Sequence, residues 1–421
     1  MSAQTESETA LAPRAPRSVA FRALRSRDFR LIAIGNLVSQ LGFWGQYVGV
    51  GWEATRLTDS DFLVTVAFAA QWAPALVLGP IAGVFADRYD RRKLVMFGNL
   101  FMVVPPLIIG ALIMSGDITM FWLVSLVLLC GVGQSFTQPA ATAMIPALVP
   151  TADLHSAVAL NAGMTNSTRV VGPTLGGAII GGWGVAWAFH INAVSFFAVA
   201  AACHLVQARP SRALTTPTSV RDELQKGFSY TRRNRAVARL VVLLIINGVW
   251  FMHAALMPIF AKRVLGGGAS TYGLLSGAPG IGFVGAALLT TLLTTSRQRR
   301  GALMVGAFGL NVAIFTFAMS RNLALSVAAL GLFGFAYMLF ATVITTMLIA
   351  ASEESYRGRV MGVFVMCTMG MNPINSLLGG GISELLGPAH TVVVCGVGGF
   401  VCNALFFATG GLRVIREGTD P

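Results

Sequence analysis

The sequence predicts an all-α membrane protein with twelve transmembrane helices in two pseudo-symmetric six-helix bundles. Three observations lead there. Of 421 residues, 55% are hydrophobic and only 11% charged, whereas soluble chains carry about 25% charged residues. Long apolar runs recur along the whole chain, each near the roughly 20 residues that cross a bilayer core. Lys and Arg gather in alternate connections between these runs, as they do on the cytoplasmic side of membrane proteins. A water-soluble fold with a mean hydropathy of +0.71 would expose large apolar patches, which excludes a soluble enzyme or binding domain.

The spans are expected at residues 30–52, 62–85, 94–114, 120–148, 157–181, 186–206, 239–261, 272–294, 302–319, 323–350, 360–382 and 390–411. Residues 1–28 are polar and Arg-rich. They lack the apolar core and cleavage site of a secretory leader. They are therefore expected to form a cytoplasmic tail, with the first span as an uncleaved anchor. Spans one to six make a first bundle over 29–206, and spans seven to twelve a second over 239–411. Residues 207–238 hold Arg209, Arg212, Arg221, Lys226, Arg232, Arg233, Arg235 and two prolines, and read as a polar cytoplasmic linker. Residues 412–421 form a C-terminal tail.

With the N-terminus inside, 25 of the 30 Lys and Arg residues fall on the inner side. Four lie outside (Arg56, Lys262, Arg263 and Arg321), and Arg169 sits within the fifth span. Both termini are thus expected in the cytoplasm of a multi-pass protein of the cell (inner) membrane. The net charge of +13 becomes a topology signal, and no nucleic-acid partner is expected. The halves also echo each other. A shift of 202 lays Gly83 on Gly285, Val158 on Val360 and Gly177 on Gly379. The five cysteines fall inside apolar runs without metal-ligand spacing, so buried thiols are expected, with no metal and no disulfide framework.

Two motifs carry the functional signal. After the second span stands Gly83-Val-Phe-Ala-Asp87-Arg88-Tyr-Asp90-Arg91-Arg92-Lys93. Gly83 allows close helix packing, Asp87 suits a neighbouring helix N-terminus, and the arginines suit carboxylates or lipid phosphates. The stretch resembles the major facilitator superfamily signature G-x-x-x-D-R-x-G-R-R, departing at Asp90, where glycine is usual. The fifth span carries Arg169-Val-Val-Gly172-Pro173-Thr-Leu-Gly176-Gly177. This resembles the exporters' G-x-x-x-G-P-x-x-G-G with Thr168 in place of the first glycine. Small residues let helices approach closely and a proline allows a bend. A hinge and a leak-tight contact between the halves are expected.

Further stretches narrow the resemblance: Trp52-Glu53, Leu57-Thr58-Asp59-Ser60, Pro139-Ala140, Ile145 to Pro150, and Arg357-Gly358-Arg359-Val360-Met361. Together they are similar to the twelve-helix branch containing enterobactin-type siderophore exporters and macrolide efflux pumps. The resemblance implies the major facilitator fold. It also implies a secondary active transporter that exports a small amphiphilic molecule, siderophore or drug-like, by alternating access with proton antiport. The energy source would then be the proton gradient, with no cofactor. The partners would be the substrate and the lipid bilayer, and the protein a monomer, working with outer-envelope export components. A lysophospholipid flippase or an importer of the same fold is the alternative. The fourth span holds no charge, and Val127 stands where many proton-coupled exporters carry an arginine, four residues before Gly131 of the Gly131/Gly133 pair. No Walker A motif, HExxH or paired intramembrane carboxylates occur, so neither direct ATP use nor an enzyme is expected.

Candidate substrate and proton-pathway residues follow from chemistry. Arg169 is costly in a membrane. It either attracts an anionic substrate or an acid, or grips carbonyls freed around Gly172-Pro173; its repeat counterpart is Met371. His253 is a proton carrier or a hydrogen-bonded packing residue. Glu53 is a proton site at the outer vestibule or an interfacial carboxylate, while His190 and Asn192 read as structural. Trp44, Tyr47, Trp250, and Phe333, Tyr337 and Phe340 on one helix face, with Met366 and Met369, suit an amphiphilic guest. Gln40, Gln46, Gln134 and Asn247 offer hydrogen bonds.

Overall fold

The computed structural model describes residues 19–207 and 220–411. The tails and the linker arginines Arg209 and Arg212 lie outside them, as do the side chains of Asp87 and Arg221. Among the described residues the protein is all-α, with no strand.

The first half is six rods: α1 (Arg27–Leu57), α2 (Asp61–Arg88), α3 (Arg91–Ser115), α4 (Met120–Met144), α5 (Leu154–Trp183) and α6 (Val185–Leu205). The connections are short because side chains close the helix starts. Ser26, Ser60, Asp90 and Thr119 each accept a backbone N–H of the first turn, satisfying donors that have no partner within the helix. After the linker come α7 (Val220–Arg233), α8 (Arg235–Val249), α9 (His253–Ile259), α10 (Ala269–Thr290), α11 (Ser296–Met319), α12 (Leu323–Ala350), α13 (Arg357–Met369), α14 (Met371–Leu386) and α15 (Pro388–Ala408).

Among the described residues, ten segments are long and apolar enough to cross a membrane. α1 and α5 fall outside that set although they have 31 and 30 residues, which at 1.5 Å each exceed the bilayer core. Both interleave apolar residues with Gly, Ser, Asn, Thr and Gln. The expected seventh span is α8 and α9 joined by a turn at 250–252 and followed by a single π turn, Phe260–Val264. The expected eleventh span is α13 and α14, interrupted at Gly370. The segment expected as a polar linker contains α7, which packs on α13, and Tyr230 stacks on Tyr356, just before α13, with ring centroids 4.3 Å apart.

The halves meet along two seams, α5 against α10 and α2 against α14. Equivalent glycines make the tight turns into α6 and α15, Gly184 (φ 96°) and Gly387 (φ 81°), a backbone region that other residues rarely adopt. These two stand 203 apart, as do the seam glycines Gly177 and Gly380. The repeat offset at this end is therefore one residue longer than the 202 read from the sequence.

Candidate functional site

A cavity of about 280 Å³ lies between the bundles and is lined from both. The first half contributes Trp44, Tyr47, Trp72, Arg169 and Pro173. The second contributes Asn247, Phe251, His253, Phe283, the α12 face of Phe333, Tyr337 and Phe340, and Met369 and Asn375. Most of this surface is aromatic and aliphatic, which suits an apolar guest held by few polar contacts.

Arg169 stands at the middle of α5, its guanidinium 6.0 Å from the Trp44 ring centroid, within cation–π range. Pro173 deprives the Arg169 carbonyl of its helical donor. The side chain does not turn back to that backbone: its buried Nε has no hydrogen-bond partner. The cation faces the cavity with its donors available. Opposite it, the His253 ring packs edge-on between Phe251 and Phe333, at centroid distances of 4.9 and 4.8 Å. Neither of its ring nitrogens has a well-formed hydrogen bond.

Three expected residues stand elsewhere. Trp250 turns away from the cavity and packs on Gly398 and Gly399 of α15. Gln134 accepts a 3.1 Å hydrogen bond from Gln71 and lines a separate pocket of about 90 Å³ inside the first bundle, with Gln40, Asn99 and Asn161. Glu53 is 2% exposed and pairs with Arg56 at 3.0 Å, near the α1–α2 turn. His190 packs on Gly110, and Asn192 donates to Gln46 at 2.6 Å, tying α6 to α1.

Near that turn the two halves are locked together. Asp61 accepts from Arg263 at 2.6 Å and from Ser383 at 2.5 Å. Glu384 takes Ser60 Oγ and the Phe62 N–H, and Lys262 donates to the Thr55 carbonyl. Below the lock the seams are built from glycine. A Cβ on Gly177 would lie 2.7 Å from the Gly273 Cα, and one on Gly380 would lie 3.0 Å from the Phe62 Cα. Gly172 and Gly176 serve instead inside the first bundle, seating α5 on Trp44 and Gly45 of α1. Along α2 and α14 contact persists to Leu76 against Gly370. Beyond it the seam parts: a Cβ on Gly83, Gly358 or Gly362 would meet no heavy atom within 4 Å. The cavity is shut towards the α1–α2 turn and open towards the α2–α3 turn.

At that open face two arginines of the first motif reach the ends of neighbouring helices. Arg92 donates 2.6 Å hydrogen bonds to the Cys203 and His204 carbonyls at the end of α6. Arg91 reaches the Ala86 and Ala143 carbonyls at the ends of α2 and α4. Cations at helix C-termini satisfy orphan carbonyls and oppose the helix dipole. Gly83, expected to permit close packing, borders open space in this arrangement.

Sequence reasoning missed Phe251, Phe283, Trp72 and Asn375 in the cavity wall. It also missed the cross-bundle role of Asp61 and Arg263. For the lock a signal existed: acids at 59 and 61 and bases at 262 and 263 fall on one face of the membrane.

Comparison with known proteins agrees with this geometry. The profile of a family described as transmembrane secretion effector matches residues 18–417. An enterobactin exporter, EntS, of Citrobacter koseri is 25% identical over 397 residues, covering 92% of this chain and 93% of the exporter. The one from Shigella boydii serotype 4 is 26% identical over 394 residues, 90% of each chain. Among solved structures, a bacterial homologue of the human lysosomal transporter Spinster, inward-facing and occupied, superposes with a TM-score of 0.76 at 14% identity. It covers 94% of this chain and 99% of that one.

Proposed function

The chain belongs to the transmembrane secretion effector family of major facilitator transporters, and on that premise we propose that it exports a small amphiphilic molecule from the cytoplasm by alternating access, in exchange for protons. The observation that carries this reading is the cavity itself: two-sided, sealed at one face, open at the other, and holding one unpaired cation among aromatic rings. The basic connections flank the open face. By the positive-inside rule that face is cytoplasmic, which makes this the inward-open state of an inner-membrane protein with both termini inside.

Substrate class follows from the wall. A lone, partly buried cation favours a guest with an anionic or acceptor group, and the rings around it favour an aromatic or apolar body. A catecholate siderophore of the kind handled by the enterobactin exporters fits both demands. The proton partner is assigned to His253, a titratable group of the cavity wall without a strong partner.

Inside-out vesicles energised to an acid interior test the reading. Accumulation of radiolabelled enterobactin against its gradient is expected, and a protonophore should abolish it. Uphill uptake that survives the protonophore rejects proton exchange. Absence of uptake, with a macrolide taken up instead, moves the substrate to the drug class.

A further inference from the structure

The polarity of the cavity is not uniform. On its second-half wall, two interrupted helices bring their irregular turns side by side, and Asn375 of α14 donates at 2.7 Å to the Gly248 carbonyl at the end of α8. That bond leaves its Oδ1 buried without a partner, on a residue only 3% exposed. His253, 1% exposed, lies on the same wall with both ring nitrogens lacking well-formed hydrogen bonds. A neutral imidazole offers one acceptor nitrogen.

The backbone adds to this excess of acceptors. A proline removes the N–H that would bond the carbonyl four residues earlier. Pro258 therefore strips the Ala254 carbonyl of its helical donor, and Pro373 does the same to Met369. Ala254 and Met369 both line the cavity. The amide nitrogens nearby are already engaged: Asn247 Nδ2 donates to Leu243 and Asn403. A buried acceptor left unpaired, as Asn375 Oδ1 is, costs about 1–3 kcal/mol, and the Ala254 and Met369 carbonyls belong to residues of the same cavity wall.

We propose that this corner, formed by Asn375, His253 and the carbonyls released by Pro258 and Pro373, is a recognition subsite for a hydrogen-bond-donating group of the transported molecule, an ammonium or a cluster of N–H or O–H groups. The inference rests on the export reading above and sharpens it. Arg169 takes the acceptor or anionic end of the guest, the rings hold its middle, and this corner takes its donor end. The favoured substrates are amphiphiles with both polarities at opposite ends. Simple hydrophobic anions, which satisfy Arg169 alone, bind less well.

A matched pair of fluorescent probes separates the two ends. Nα-dansyl-lysine and dansyl-norleucine share an aromatic group and a carboxylate, and only the former carries a terminal ammonium. With the full chain in lipid nanodiscs, the lysine probe is expected to bind on the order of tenfold tighter, the scale of a charge-assisted hydrogen bond. Asn375→Leu should bring the affinity ratio close to one. Asn375→Asp, which keeps the side-chain shape, should raise it, and thermal unfolding identifies any variant that fails to fold. Equal binding of the two probes by the unaltered protein, or a ratio unmoved in both variants, overturns the subsite while leaving the export reading in place. If neither probe binds, the amphiphile cavity fails together with the subsite.

Discussion

Arg263 Nη1 stands 2.6 Å from Asp61 Oδ1, so the π turn after α9 is held to the first residue of α2. Opposite charges from the two halves thus meet across the sealed face. Asp61 is 3% exposed on its side chain and Arg263 38%. The pair is neither fully buried nor a solvated surface bridge, so its contribution falls between those limits.

Breaking it should open the sealed face. Asp61→Asn is expected to cost that closed arrangement about 1–2 kcal/mol, shifting its population roughly 5- to 30-fold. A cysteine at Thr65, which is fully buried under the lock, reports the shift through its maleimide labelling rate. The swap Asp61→Arg with Arg263→Asp should bring the rate back towards its starting value. Labelling unchanged in Asp61→Asn would deny the pair this role.

The glycine seam makes a sharper demand. The Cβ of Gly177→Ala would meet backbone, the Gly273 Cα at 2.7 Å, which cannot swing aside as a side chain does. The overpacking should cost about 1–3 kcal/mol and hold α5 away from α10, with transport falling at least tenfold. Gly182→Ala, where no heavy atom lies within 4 Å, is the control and should transport normally. Equal transport by the two variants would contradict the seam.

Arg169 should govern binding rather than folding. Arg169→Gln removes the charge and the stacking on Trp44, so affinity for an anionic amphiphile should drop by about tenfold or more. Arg169→Lys keeps the charge but not the planar face, and should recover only part. Cys367, a free thiol in the cavity wall, supplies the readout. Bound substrate should protect it from maleimide in the unaltered protein, and Arg169→Gln should lose that protection. Protection that persists in Arg169→Gln removes the arginine from the site.

At the other face, Arg92→Ala deletes both hydrogen bonds that close the end of α6. Hydrogen bonds to a charged donor are worth more than neutral ones, and discounting for partial exposure leaves about 1–2 kcal/mol. A lower midpoint of thermal unfolding in detergent is expected, with Arg92→Lys intermediate because an ammonium cannot span two carbonyls as a guanidinium does. A melting point unchanged in Arg92→Ala would reduce the motif to charge alone.

What could be read from the chain divides along physical lines. Spans and their order follow from apolar length and basic connections, quantities averaged over some 20 residues; helices cover each expected run, and ten segments among the described residues are long and apolar enough to cross a membrane. Direction around a helix is a finer matter. Trp250 and Phe251 are neighbours in the turn at 250–252, yet one packs on α15 and the other lines the cavity. The apolar character of a span is nearly uniform around it, so no amphipathic stripe separated them. Phe333, Tyr337 and Phe340 succeeded because their spacing defines a face whichever way it points. The turns at 250–252 and Gly370 were written in part in Pro258 and Asn372-Pro373. Helix α7 was concealed by its own charges, which read equally well as a solvated linker.

The arginines at the α2–α3 turn have a mechanical corollary. By tying the ends of α2, α4 and α6 to the start of α3, they bolt the first half into one plate. The second half has joints instead, at 250–252 and at Gly370. Two halves built on one blueprint thus differ in construction: one is cross-braced at its helix ends, the other jointed within its spans.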